Sequence, residues 1–156
     1  MLFRCAAFIF LVSLGSSSLA QTVTIRVANG NDGRPLQGQP VSVSLLYEQG
    51  ETTPAKYDTN LSLRTDANGE ARFVLPKPAP AHVGAQVRLT SEHWHCVCMV
   101  LTVTQDVIQK GIVDSDASVS EPRRSPALVK AVPGEILFVA RPFSLWERLL
   151  YPFVKG

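Results

Sequence analysis

The feature that most constrains the fold is a series of short stretches in which apolar and polar residues alternate, separated by turn-forming residues. The stretch TVTIRVA, which begins at Thr22, and the stretch VSVSLLY, which begins at Val41, both show this alternation. A period of two over five or more residues is typical of a β-strand with one buried face. Residues 29–35 between them, NGNDGRP, hold two glycines and three Asn or Asp residues, which favour turns. We therefore expect these two strands to form a connected pair.

The rest of the chain continues this pattern. The polar residues 48–60 are expected to cross to another part of the sheet system. LSLRT and EARFVLP flank Asp66–Gly69, which predicts a hairpin turn, and prolines end the second run. VGAQVRLTS, HWHCVCMVLTVT and the EILFVAR run from Glu135 are further strands, and residues 114–127 are expected to form an exposed loop. About seven strands and little helix predict an all-β sandwich.

The first 20 residues have the composition of a signal peptide. One positive charge at Arg4 precedes an apolar run from Cys5 to Leu14, and small residues end the segment at Ala20. This run is shorter than the roughly 20 residues that a membrane span needs, and no later segment is long and apolar enough to predict a span. No cysteine lies at the expected cleavage site to accept a lipid. The prediction is a secreted or periplasmic protein without a lipid anchor.

Composition limits the partners of the remaining chain. Removing residues 1–20 leaves 136 of the 156 residues, enough for one domain, with 14 basic against 13 acidic side chains. This balance gives no electrostatic case for nucleic acid binding. Only Cys96 and Cys98 would then meet an oxidising compartment, so the chain is not a disulfide scaffold. We predict a sandwich domain over residues 21–142 and a C-terminal tail over residues 143–156.

Two motifs carry a resemblance to a known family. The series VTIRVANGNDGRPLQGQPVSVSL contains a G-x-P-L-x-G element at residues 33–38, and RTDANGEARFVLP contains a T-D-x-x-G-x-x-x-F pattern from Thr65 to Phe73. Over about Thr22 to Val103 the chain resembles the carboxypeptidase regulatory-like, or transthyretin-like, domains. The resemblance implies an Ig-like or transthyretin-like β-sandwich. It also implies a non-catalytic accessory module, of a kind often attached to enzymes or outer-membrane proteins, with occasional carbohydrate-binding relatives.

The stretch HWHCVCM concentrates soft ligands in seven residues. Imidazole, thiolate and thioether groups suit copper or zinc, so one hypothesis is a metal or thiol-redox site. If the stretch is one extended strand, its histidines and its cysteines point to opposite faces and do not converge on one ion. The C-x-C spacing also departs from the usual zinc motifs. The residues of this hypothesis are His93, His95, Cys96, Cys98 and Met99.

Two other interpretations of the same stretch stand beside the metal site. A disulfide between Cys96 and Cys98 would be strained, because strand residues two apart carry parallel side chains, and a strained disulfide is easily reduced. The simplest interpretation is that both cysteines are small buried hydrophobic residues beside Trp94. We therefore expect no resident cofactor, and copper or zinc only under the alternative.

The chain lacks the common catalytic and calcium motifs. There is no G-x-S-x-G elbow, no H-E-x-x-H and no phosphate-binding glycine loop, so we predict that the protein is not an enzyme. The spacing of Asp66, Asn68 and Glu70 resembles the start of a calcium loop. However, Ala71 stands where that loop needs glycine, and Lys77 stands where it needs glutamate. A turn is the better interpretation.

The tail, PFSLWERLLYPFVKG from Pro142, is rich in aromatic residues. Its apolar residues recur at the spacing of one helix face, with Ser144 as the N-cap of the helix. Such a helix either folds back over one end of the sandwich or remains exposed to bind a partner or lie in a membrane interface. One Arg, one Lys and one Glu favour a partner over a membrane. The candidate partner-binding residues are Phe143, Trp146, Leu149, Leu150 and Phe153.

The sequence thus predicts a secreted, non-catalytic β-sandwich module with a short C-terminal helical tail. It would act by binding protein or carbohydrate at the cell envelope, and peripheral association with the envelope would run through the tail. The alternative function is soft-metal binding or thiol redox chemistry in His93–Met99.

Overall fold

A computed structural model describes residues 21–47, 56–89, 94–95, 99–115, 130–146 and 149. The elements in these ranges are nine strands and one short helix. Their bounds are β1 Thr22–Asn29, β2 Pro40–Tyr47, β3 Lys56–Arg64, β4 Glu70–Val74, β5 His82–Val87, β6 Trp94–His95, β7 Met99–Val103, α1 Thr104–Lys110, β8 Ile112–Ser115 and β9 Glu135–Pro142.

The strands form two sheets. The first has the order β4-β1-β9, and β9 also pairs with β8 and β6. The second has the order β3-β2-β5-β7. β9 runs parallel to β1 and β8, whereas the other pairs are antiparallel. The fold is the predicted all-β sandwich, with nine strand segments in the described ranges where the sequence predicted about seven.

The core lies between the two sheets and is built from the alternating residues that face inward. Period-two burial in β1, β2, β4 and β5 follows the alternation of the sequence. Among the described residues, the largest fully buried side chain is Phe138 of β9. Residues that share this core include Val23, Ile25, Val27, Val41, Val43, Leu45, Phe73, Val83, Val87, Val107 and Ile136.

The expected pairing of the first two strands is wrong. β1 pairs with β4 and β9 in the first sheet, whereas β2 pairs with β3 and β5 in the second. The Asp66–Gly69 turn is correct as a turn but wrong as a hairpin, because β3 and β4 also lie in different sheets. Both turns carry the chain across the core. A turn signal shows that the chain reverses, but not whether it returns to the same sheet.

Two further expectations need correction, and one element was missed. The expected crossover to another part of the sheet system is wrong, because residues 56–60 belong to β3, which is the antiparallel neighbour of β2. Residues 114 and 115 belong to β8 and not to a loop. The helix α1 was not predicted, although Asp106 and Lys110 form an i, i+4 ion pair and Gly111 follows as the C-cap.

The two motifs of the family resemblance contact each other in space. The hydroxyl of the buried Thr65 donates a hydrogen bond to the carbonyl of Leu36 at 2.8 Å and accepts one from the N–H of Gln39 at 2.8 Å. The N–H of Gly38 donates to the carbonyl of Thr65 at 2.9 Å. The loop after β1 and the turn before β4 therefore stabilise each other.

Gly69 closes this junction and leaves no room for a side chain. Its φ is +71°, and a Cβ built there would lie 2.6 Å from the carbonyl oxygen of Val27 and 2.9 Å from the Cβ of Pro35. Its own carbonyl accepts a hydrogen bond from the N–H of Val27 at 2.8 Å. The clash is with backbone, which cannot move without disturbing β1.

Gly38 provides a matched control for the role of Gly69. It has almost the same φ, +73°, but a Cβ there would meet no atom within 4 Å. We expect Gly38→Ala to lower the free energy of unfolding by about 1 kcal/mol, the cost of left-handed backbone, and Gly69→Ala to lower it by more than about 2 kcal/mol. Urea unfolding measures both values. Equal losses would contradict the steric account of the junction.

Candidate functional site

The tail exposes large apolar side chains to solvent. Leu145, Trp146 and Leu149 are 71%, 72% and 55% exposed, and all three have helical backbone that begins directly after Ser144. Residues at i, i+3 and i+4 lie next to one another on a helix surface, so Leu149 is a neighbour of both Leu145 and Trp146. We call these three residues the tail patch.

Of the five predicted tail residues, three are described. Trp146 and Leu149 belong to the tail patch, and Phe143 is half-buried at its base. Leu150 and Phe153 lie outside the described residues. Leu145, which sequence reasoning did not select, is as exposed as Trp146. The helical spacing predicts Leu145 as well when it is extended one residue towards Ser144, because Leu145 lies four residues before Leu149.

The start of the tail is held by the end of β9. Arg141 and Pro142 of β9 pair with His95 and Trp94 of β6, so the tail leaves the sandwich from a paired strand. Phe143 follows directly. The exposed tail patch is therefore only a few residues from a fixed point of the first sheet.

A second apolar surface lies on the outer face of β7, at the edge of the second sheet. Met99, Leu101 and Val103 alternate along β7 and are 66%, 58% and 44% exposed. A Cβ built on Gly84 of the neighbouring β5 would lie 3.6 Å from Leu101 Cδ1, so Leu101 lies over the bare backbone of that glycine. The result is a shallow groove of about 310 Å³, lined by Ser42, Ser44, Gly84, Ala85, Gln86, Met99, Val100 and Leu101.

The groove and the base of the tail lie at the same end of the sandwich. β7 begins at Met99, four residues after His95, and four residues span at most about 14 Å. His95 is itself paired with Arg141, which lies two residues before Phe143. Two apolar surfaces therefore start close together, one on each sheet.

The stretch HWHCVCM is not one strand. β6 pairs with β9 in the first sheet, whereas β7, which starts at Met99, pairs with β5 in the second. The expectation of one continuous strand is therefore wrong, and its strict alternation of faces no longer separates the histidines from the cysteines. The reason is the same as for the turns, because local β-propensity does not specify the partner strand.

The described strands give positions for only some residues of the metal or redox hypothesis. Met99 is exposed on β7, and the backbone of His95 lies in β6. His93, Cys96 and Cys98 lie outside the described residues. Within the described ranges, no three His, Cys, Asp or Glu side chains form a group that could hold a metal ion. The soft-metal and thiol-redox alternative stays a prediction.

The carboxylate of Asp66 serves the turn. Its Oδ1 accepts hydrogen bonds from the N–H groups of Asn68 at 2.8 Å and Glu70 at 3.0 Å. The hydrogen bond from the Glu70 backbone is the main cause that lowers the pKa of Asp66 below its ordinary value. These donors use Oδ1 as the side-chain acceptor of a turn, which agrees with the interpretation of this segment as a turn.

Comparisons with known proteins give distant structural neighbours. The chain is similar to a point mutant of the shaft pilin SpaA from Lactobacillus rhamnosus GG, with 10% identity and a TM-score of 0.45 over 80% of this chain and 51% of the pilin. It is also similar to a dioxygenase, with 15% identity and a TM-score of 0.40 over 79% of this chain and 80% of that chain. The chain thus spans about half the length of the pilin. No protein-family model and no curated protein matches the sequence.

The sequence predicts no membrane-spanning segment. Within the described ranges, no helix combines the length and apolar character needed to cross a bilayer.

The lowered pKa of Asp66 makes a testable statement about acid stability. A carboxyl whose pKa falls on folding stabilises the folded state above its unfolded value, near 3.8, and this contribution is lost as the pH falls through the folded pKa. Asp66→Asn keeps an oxygen acceptor for the turn but does not titrate. We expect its unfolding free energy to fall less steeply than that of the wild type below pH 3.8, as measured by urea unfolding at a series of pH values. Parallel pH profiles would show that Asp66 does not act in this way.

Proposed function

We propose that this protein is a secreted, non-catalytic β-sandwich module that binds a protein partner through its tail patch. The observation that carries the proposal is the exposure of Leu145, Trp146 and Leu149 within five residues. Single exposed apolar residues are ordinary on protein surfaces, whereas a contiguous exposed patch is typical of an interaction site.

The chemistry of the patch favours a protein groove as the partner surface. Short amphipathic helices bind such grooves through apolar residues at i, i+3 and i+4, and tryptophan is the residue type most enriched at interface hot spots. A sugar would be expected to need polar side chains beside the indole, and the tail patch instead places leucines there. The tail contains only Arg148 and Lys155 as basic residues, which is weak attraction for an anionic membrane.

The sandwich supplies a fixed base for this patch. β9 is buried along most of its length, and its last two residues pair with β6. A docking element that leaves such a strand has little freedom at its base, which lowers the entropy lost when it binds. Secretion is proposed from the signal-like composition of residues 1–20, and it places the partner outside the cytoplasm.

The proposal predicts that the tail patch and not the sandwich binds the partner. The double variant Trp146→Ser and Leu149→Ser should retain the unfolding free energy of the wild type, because both side chains are exposed. It should weaken association with a protein that the wild type captures from envelope extracts by at least about tenfold, since removal of an interface hot spot costs this much or more. Quantitative pull-down from envelope extracts, followed by titration of the identified partner, measures the change.

Val132 provides the matched control. It is 60% exposed but follows Ala131 in the loop before β9, at the strand's other end from the tail. Val132→Ser should bind like the wild type. Deletion of residues 143–156 should likewise leave a folded domain that no longer binds. Collapse of the fold on this deletion would instead show that the tail covers the sandwich, and the proposal would fail.

A further inference from the structure

The open edge of β7 is ready to accept another strand. β7 is the last strand of the second sheet, and in the part of the chain that the structure describes it pairs only with β5. In an antiparallel pair, the residues of a strand alternate between those whose N–H and C=O point to the partner and those whose groups point away.

The register of β7 on β5 shows which residues of β7 direct their backbone groups to the open edge. Thr104, the residue next in register after β7, donates its N–H to the carbonyl of Ala81 at 2.9 Å. The even-numbered residues of β7 therefore bond to β5, and the odd-numbered ones direct their N–H and C=O groups to the open edge. On the other side of β5, Arg88 donates to the carbonyl of Pro40 at 2.9 Å, which gives β5 the complementary alternation. Three N–H and three C=O groups thus line the edge, from Met99, Leu101 and Val103.

Nothing in β7 blocks the addition of a strand. Natural sheet edges are usually protected by lysine, proline, inward-pointing charges or a bulge. The sequence MVLTV has no charge and no proline, and its pairing with β5 runs without a register shift. The residues with free backbone groups are also those with exposed apolar side chains, so one strand could satisfy both.

We propose that β7 pairs antiparallel with β7 of a second copy of this chain, about a twofold axis through Leu101. In this register Leu101 faces Leu101 of the second copy, and Met99 faces Val103. All six outward backbone groups of each copy then find a partner, and a shift of two residues along the strand would leave some without one. The four-stranded second sheets of the two copies then join into one sheet of eight strands.

The side chains are self-complementary in the same register. Met99, Leu101 and Val103 lie on one face, so the joined strands carry a continuous apolar strip across the axis. No like charges meet, because β7 carries none. In each copy, this strip lies beside the shallow groove that Gly84 and Leu101 line. This pairing does not use the tail patch, so it is independent of the proposed function.

Sedimentation velocity over a range of about 1 to 100 µM tests the pairing. The wild type is expected to form a dimer with rising concentration. Leu101→Lys brings two positive charges together at the axis and should raise the dimer dissociation constant by at least about tenfold, and Leu101→Glu should do the same with negative charges. An equimolar mixture of these two variants should recover the dimer, because each then faces the opposite charge.

Controls separate this pairing from other modes of association. Val74→Lys changes a residue of similar exposure, 55%, on the edge strand of the other sheet and should leave the dimer unchanged. The double variant of Trp146 and Leu149 should also dimerise like the wild type, so failure of the proposed function and failure of this pairing are distinct results. A wild type that stays monomeric overturns the proposal. A dimer that Leu101→Lys does not weaken, or that the mixed variants do not restore, also overturns it.

Discussion

The burial of β9 on both faces is the constraint on which the rest of the structure depends. Ile136 and Phe138 face the main core between the sheets, while Leu137 and Val139 are equally inaccessible on the other face, where they pack with small apolar residues. A strand buried on both sides reads as a continuous apolar run, which is what EILFVA shows. Its first residue, the buried Glu135, accepts a hydrogen bond from the Nε of Arg26 at 2.5 Å, which joins β9 to β1. A buried carboxylate without this partner would be strongly destabilising.

Both candidate surfaces take their positions from this frame. β9 carries the tail directly, and its pairing with β6 brings the chain to the start of β7. The two surfaces differ in kind, since the tail patch offers only side chains and β7 also offers backbone hydrogen-bonding groups. A module of this design can bind a partner through one surface and a second copy through the other. Binding of a partner at two tails in one dimer would then gain from the higher effective concentration of the second site.

The sequence predicted the strands well and their partners poorly. Alternation located β1 and β2, because burial of one face requires a period of two, and the apolar run EILFVAR located β9. It could not show that the turn at Gly69 joins two sheets, since that outcome depends on the contact of this glycine with Val27, which is distant in sequence. The same limit explains the division of HWHCVCM between sheets. The helical tail was predicted from spacing, whereas its exposure, like the open edge of β7, depends on which surfaces the rest of the chain leaves uncovered.

The exposure of Trp146 in the isolated protein tests the central claim most directly, because a docking element must be accessible before its partner arrives. A Trp94→Phe variant leaves Trp146 as the only tryptophan, so its fluorescence emission and its quenching by iodide report on the tail patch alone. The account predicts emission and quenching close to those of a free indole in water, with both changing to shielded values when the partner is bound. Shielded emission and weak quenching in the isolated monomer would contradict it, since the tail would then cover the sandwich.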